Sequence, residues 1–203
     1  MAANRRASAS TFVTYDAFDA MTTRTPGWLL LVWRLPTGSS TPRVTTWRSL
    51  RKLGAAVLTP GAAILPYRED LHEQLDWSAQ EVAEHGGDAW VLPVTELSEA
   101  EEATIRDQMR ADCQAEYAGL REDAVAFLGR APGHPGPEDD FAVRLRTEKE
   151  LVALQRRFRK IRARDYFDAP GRREAAESID RCLAYRQGIS SRLTPATDHE
   201  ATA

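Results

Sequence analysis

Residues that bind metals or exchange electrons are scarce in this sequence. It has two cysteines, Cys113 and Cys182, far apart and without ligand or redox spacing, which excludes a disulfide framework and a thiolate metal cluster. Both are expected to be reduced and partly buried on helices. The four histidines, His72, His85, His134 and His199, form no pair at helical ligand spacing, so no metal site is expected. No apolar run approaches the ~20 residues that cross a bilayer. The first 27 residues hold Arg5 and Arg6 but no apolar signal core. A cytoplasmic location without a membrane partner is the expectation. Glycine-rich phosphate loops and nucleophile elbows are missing. Carboxylates are plentiful but stand where helix solubility explains them. No catalytic residue and no cofactor is therefore expected.

What is present is charge, unevenly distributed. The formal net charge is −3 over 203 residues. Residues 1–66 carry 8 basic and 2 acidic side chains, residues 67–140 carry 5 and 19, and residues 141–203 carry 14 and 9. Such segregation marks an interaction face, often for nucleic acid. It is equally what a fold shows when its basic and acidic segments pair with each other.

Hydrophobic periodicity divides the chain. Residues 1–27 are rich in Ala, Ser and Thr and read as a disordered leader. Trp28 to Leu35 is a nearly unbroken apolar run of strand length, ended by Pro36. Ser40 or Thr41 caps a helix with Pro42 in its first turn, and Gly54 ends it. Val44, Trp47, Leu50 and Leu53 form its apolar stripe. Ala55 to Thr59 and Ala62 to Pro66 make a hairpin around Pro60-Gly61, a pair suited to a type II turn. Leu71, Leu75, Ala79 and Val82 share the face of a second helix, stopped by Gly86 and Gly87. Ala89 to Val94 is the last strand.

Strand, helix, hairpin, helix, strand over residues 28–97 implies an α+β fold, with a ferredoxin-like βαββαβ sheet and both helices on one face. All five tryptophans fall here, which points to the main core. Residues 98–188 read as a helical C-terminal extension. Ser98 and Glu101 form a capping box for a long helix through Ile105, Met109, Cys113, Tyr117, Leu120, Ala124 and Phe127. A Pro/Gly linker occupies 131–137. A further helix begins near Asp139 and buries Leu145, Leu151, Leu154, Phe158 and Ile161. The last starts after Pro170 and stops at Gly188. Residues 189–203 read as a disordered tail.

The strongest candidate site is the run Arg156, Arg157, Arg159, Lys160, Arg162 and Arg164, followed by Arg172 and Arg173. Clustered guanidiniums suit phosphate or another oxyanion, because each binds two oxygens in one plane. On DNA they would neutralise backbone charge and make binding salt-sensitive. The plainer alternative is a solvated face paired with the acidic middle segment. A secondary basic patch, Arg43, Arg48, Arg51 and Lys52, lies on the first helix; alone, it reads as a solvated face. Whether it joins the C-terminal cluster in space decides its interest.

The quoted pieces carry a family resemblance. WLLLVWRLPTGSSTPRVTTWRSLRKLGAAVLTPGAAILP, then DAWVLPV and FRKIRARDYFDAPGRREAAESI, resemble the N-terminal domain of the ChrB family of chromate-resistance proteins, over about residues 28–185. The opening pattern is more distantly similar to the middle domain of PaaX-type repressors, itself related to a small CRISPR-associated endoribonuclease. The resemblance implies a cytoplasmic regulator in which chromate relieves repression of an efflux operon. The run Arg156 to Arg164, with Arg172 and Arg173, would then contact DNA or the oxyanion. The resemblance implies that full-length members continue into a second, C-terminal domain, which is not expected in this chain. No helix-turn-helix is visible, so DNA contact must come from the basic patches. The related nuclease has an Asp where this chain has Arg34, Leu35 and Pro36, so no metal-dependent nuclease is expected.

Three readings follow. The first is a DNA-binding transcriptional regulator, responsive to chromate or a similar oxyanion, as a homodimer that doubles the basic surface. The second is a non-enzymatic interaction module whose basic residues face Glu69, Glu73, Glu101 or Glu102. The third is a small enzyme with a polar pocket beside Trp28, Trp33 or Trp90.

Overall fold

A computed structural model describes residues 27–36, 40–130 and 140–192. The leader up to residue 26, the linker at 131–137 and the tail beyond residue 192 lie outside the described residues. The elements are β1 (Trp28–Arg34), α1 (Ser40–Leu53), β2 (Ala56–Thr59), β3 (Ala62–Pro66), α2 (Glu69–Glu84), β4 (Asp88–Val94), α3 (Glu99–Gly129), α4 (Asp140–Ala163) and α5 (Arg172–Arg192). The four strands form an antiparallel sheet in the order β2-β3-β1-β4. This is the expected α+β, ferredoxin-like arrangement.

Strand alternation gives the sheet two faces. Leu29, Leu31, Trp33, Ala63 and Leu65 are buried in the core shared with Leu50 of α1 and Leu71, Leu75 and Val82 of α2. The opposite face carries Trp28, Leu30 and Val32, in register with Val94, Leu92 and Trp90. Its β3 side is covered: Ile64 and Ala56 are buried with Ile105 and Met109 of α3, and Phe167 lies 5.8 Å from Trp28 between ring centroids. A second core unites α3, α4 and α5 through Tyr117, Leu120, Phe127, Leu151, Leu154, Ile161, Ile179 and Cys182. The long helix α3 therefore runs from one core into the other. Its N-terminus has the expected capping box, Ser98 and Glu101 satisfying each other's backbone N–H.

Several sequence expectations change. The inward face of α1 is Thr46, Leu50 and Leu53, whereas Val44 and Trp47 are exposed. Thr46 fits because its hydroxyl donates to the Pro42 carbonyl at 3.0 Å. Trp77 and Trp90 are exposed as well, so only Trp28 and Trp33 belong to the core. Among the described glycines, only Gly54 and Gly86 have positive φ, so the turn at Pro60-Gly61 is not type II. Leu145 is exposed. Helix α5 continues through Gly188 to Arg192; glycine inside a helix costs only about 1 kcal/mol and does not compel a stop. No described helix is long and apolar enough to cross a membrane.

Candidate nucleic-acid interface

The cations of α4 face two ways, and this decides their chemistry. Arg157 pairs with Asp123 of α3. Arg164, the most buried of them, pairs with Glu116 of α3 and donates to the Lys160 carbonyl at 3.2 Å. Arg172 pairs with Asp168, and Arg173 lies 3.8 Å from Glu177, one turn on. Arg157 and Arg164 thus tie α4 to α3, whereas Arg172 and Arg173 pair locally, within one turn at the start of α5. Arg156, Arg159, Lys160 and Arg162 are exposed and form no ion pair with any described residue. The acids taken up are Asp123, Glu116, Asp168 and Glu177, not Glu69, Glu73, Glu101 or Glu102. Internal pairing is thus real but claims half of the cluster.

The secondary patch is freer. Arg43, Arg48, Arg51 and Lys52 are all exposed. Arg43 donates to the Leu35 carbonyl at 3.2 Å. The Arg51 guanidinium stands 5.1 Å from the Trp47 ring centroid. Lys52 borders a shallow hollow of about 240 Å³ with Ser49, Leu53, Gln74, Trp77, Ser78 and Glu81. None of Trp28, Trp33 and Trp90 lines this hollow.

The helix ends that carry the two patches meet. The Tyr166 hydroxyl donates to the Leu53 carbonyl at 2.6 Å. A Cβ placed on Gly54 would come within 2.7 Å of the Arg164 Cβ. The C-terminal ends of α1 and α4 therefore abut, each with cations in its last turn: Arg51 and Lys52 on α1, Lys160 and Arg162 on α4. Each helix end contributes roughly half a negative charge. Two such ends offset only a fraction of four cations, so a positive surplus remains at the junction.

The segment Arg164 to Asp168 holds this arrangement. Asp165 accepts from the Tyr117 hydroxyl at 3.1 Å and from the Ala169 N–H at 2.9 Å. Burial first, then the Asp165 carboxylate, pushes the Tyr117 hydroxyl well above its usual range. Burial likewise pushes Tyr166 up to about 12. Phe167 is held by Arg110, whose Nε donates to its carbonyl at 2.8 Å, and by Arg106, 5.1 Å from its ring centroid. Arg68 lies 5.8 Å from the Tyr166 ring centroid. Sequence reading missed this group of Arg68, Arg106 and Arg110, because its members are isolated along the chain. The aromatic pair Tyr166-Phe167 between two charged residues was the available signal.

Both thiols are buried and free. Burial raises Cys113 to about 11 and also raises Cys182, so neither is a nucleophile at neutral pH. Among the described residues, no three His, Cys, Asp or Glu side chains come together as a metal site.

An antiparallel βαββαβ sheet carrying a three-helix extension, with the ends of α1 and α4 abutting and cations in the last turn of each, defines an α+β domain. The sequence matches the family described as "Protein ChrB, N-terminal" over residues 43–200. The chain belongs to that family, which is linked to chromate resistance. It is 40% identical over 91 residues to Protein ChrB of Cupriavidus metallidurans (strain ATCC 43123 / DSM 2839 / NBRC 102507 / CH34); the match covers 45% of this chain and 28% of that protein's length. No solved structure matches. Every basic residue of α1, α4 and α5 singled out above lies within the family match.

Proposed function

We propose that this chain is a DNA-binding transcriptional regulator of chromate resistance that lays the joined ends of α1 and α4 on the DNA backbone. The observation that carries the reading is the contact of the two helix ends at Gly54 and Arg164, which supports reading the two groups of cations as one surface. Exposed arginines and lysines without internal carboxylate partners are suited to phosphate oxygens. The same guanidiniums fit a tetrahedral oxyanion such as chromate, which would compete with phosphate for them. Acting in the cytoplasm as a homodimer, the protein would present this surface twice, as a two-fold operator requires.

Fluorescence anisotropy tests the proposal, using duplex DNA from the protein's own upstream region against a scrambled duplex, with and without chromate. Tighter binding to the native duplex, released by chromate, supports it. Equal binding to both duplexes, indifferent to chromate, leaves a generic basic surface and refutes it.

A further inference from the structure

Phosphate contact does not explain Trp47. Helix α1 has four cations and no acidic residue in its fourteen positions, yet at its centre stands a tryptophan that is 43% exposed. Exposing a large apolar ring forgoes about 2 kcal/mol of burial. Val44, one turn earlier, is 40% exposed beside it. Arg43 and Arg51 lie four residues before and after Trp47, so the three share one helical stripe. Both arginines are partly fixed: Arg43 by the Leu35 carbonyl at 3.2 Å, and Arg51 by the Trp47 ring at 5.1 Å. The result is an aromatic ring with the Arg51 guanidinium over it and the Arg43 guanidinium fixed on the turn before.

That spacing matches a nucleotide, in which a flat base alternates with a phosphate. In single-strand binding, bases stack on aromatic side chains while neighbouring cations follow the backbone. Bases within a paired duplex hide their faces in the stack, so a tryptophan platform needs a base that is unpaired or readily unstacked. We infer that α1 is a binding site for nucleic acid with an unstacked base, in which Trp47 stacks on the base and Arg43, Arg48 and Arg51 hold the flanking phosphates. The inference rests on the nucleic-acid reading above and adds the form of the strand. Charge complementarity selects this occupant, because α1 offers a polyanion four cations and carries no carboxylate of its own.

The test uses three labelled probes of one sequence: a paired duplex, the same duplex with a one-base bulge, and the single strand. Binding by the full chain is compared with that of Trp47→Ala and Trp47→Phe at fixed salt. Since Trp47 is exposed, both variants should fold, and circular dichroism checks this. Expected is a loss of about tenfold for Trp47→Ala on the bulged and single-stranded probes. Trp47→Phe should keep most of that binding, and the paired duplex should change less than about twofold. Equal losses on all three probes, or none, overturn the stacking role while leaving the nucleic-acid reading intact. Failure of the wild-type chain to bind any probe sinks both. Preference for anionic phosphatidylglycerol vesicles, with no Trp47 effect on the oligonucleotides, overturns the inference in favour of a membrane surface.

Discussion

The contact between Gly54 and Arg164 can be weighed by comparing two glycines. Gly54 and Gly86 have nearly the same left-handed backbone, with φ of 79° and 74°. Their surroundings differ. A Cβ on Gly86 meets nothing nearer than 3.9 Å, whereas one on Gly54 would lie 2.7 Å from the Arg164 Cβ and 3.1 Å from its carbonyl oxygen. Alanine at either site incurs the left-handed penalty of about 1–2 kcal/mol. At Gly54 it adds an overpacking cost of about 1–3 kcal/mol, because the obstruction is backbone and Cβ rather than a flexible tip. Gly86→Ala should therefore destabilise by about 1–2 kcal/mol and Gly54→Ala by about 2–5 kcal/mol. Urea unfolding followed by tryptophan fluorescence reads the difference directly as a shift in midpoint at constant slope. Equal midpoints for the two variants would mean that α1 and α4 do not abut, and the joined surface would fall with that contact.

Other outcomes follow from the same geometry. Tyr117→Phe leaves a half-buried Asp165 oxygen without its donor and should cost about 1 kcal/mol in the same unfolding assay, against no effect if Asp165 is well hydrated. The raised hydroxyl of Tyr166 favours the protonated, folded state, so its contribution is complete below the unfolded tyrosine value near ~10 and is lost as pH rises towards about 12. Stability measured from pH 9 to 12 should fall in that window, and less steeply in Tyr166→Phe; parallel curves would contradict the assignment. Neither Cys113 nor Cys182 should react with a thiol reagent at pH 8 until the chain unfolds. Rapid native labelling of either would contradict their burial. Ser98→Ala removes half of the capping box of α3 and should cost about 1 kcal/mol.

Local signals carried much of the fold. Pro36, Pro60-Gly61 and Gly86-Gly87 mark chain reversals whatever surrounds them, and the capping box of Ser98 and Glu101 needs only its own turn. The apolar run of β1 announced a central strand because it is paired on both edges. The stripe of α1 misled because spacing by three drifts round a helix of 3.6 residues per turn, and Thr46 at i−4 from Leu50 could enter the core by bonding its own backbone. Tryptophan content suggested burial, yet Trp47, Trp77 and Trp90 are exposed. The basic cluster was legible as a cluster, but its division was not. Arg157 and Arg164 find Asp123 and Glu116 across two helices, 34 and 48 positions away. Pairing at that separation depends on how α3 and α4 pack, which no local pattern encodes. The junction of α1 with α4 is hidden for the same reason, since its two sides lie more than a hundred residues apart.

The most direct test of the account is the salt dependence of duplex binding for the wild type, for an α4 variant lacking its unpaired cations (Arg156→Ala, Arg159→Ala, Lys160→Ala, Arg162→Ala), and for an α1 variant (Arg48→Ala, Arg51→Ala, Lys52→Ala). Each phosphate contact contributes about 0.9 to the slope of log affinity against log salt. The joined-surface account predicts that the slope shrinks in both variants, by up to about 3.6 for α4 and about 2.7 for α1. Folding should be unchanged, because none of these seven side chains forms an ion pair with a described residue. A slope that stays at the wild-type value in both variants would contradict the claim that the ends of α1 and α4 form one DNA-binding face.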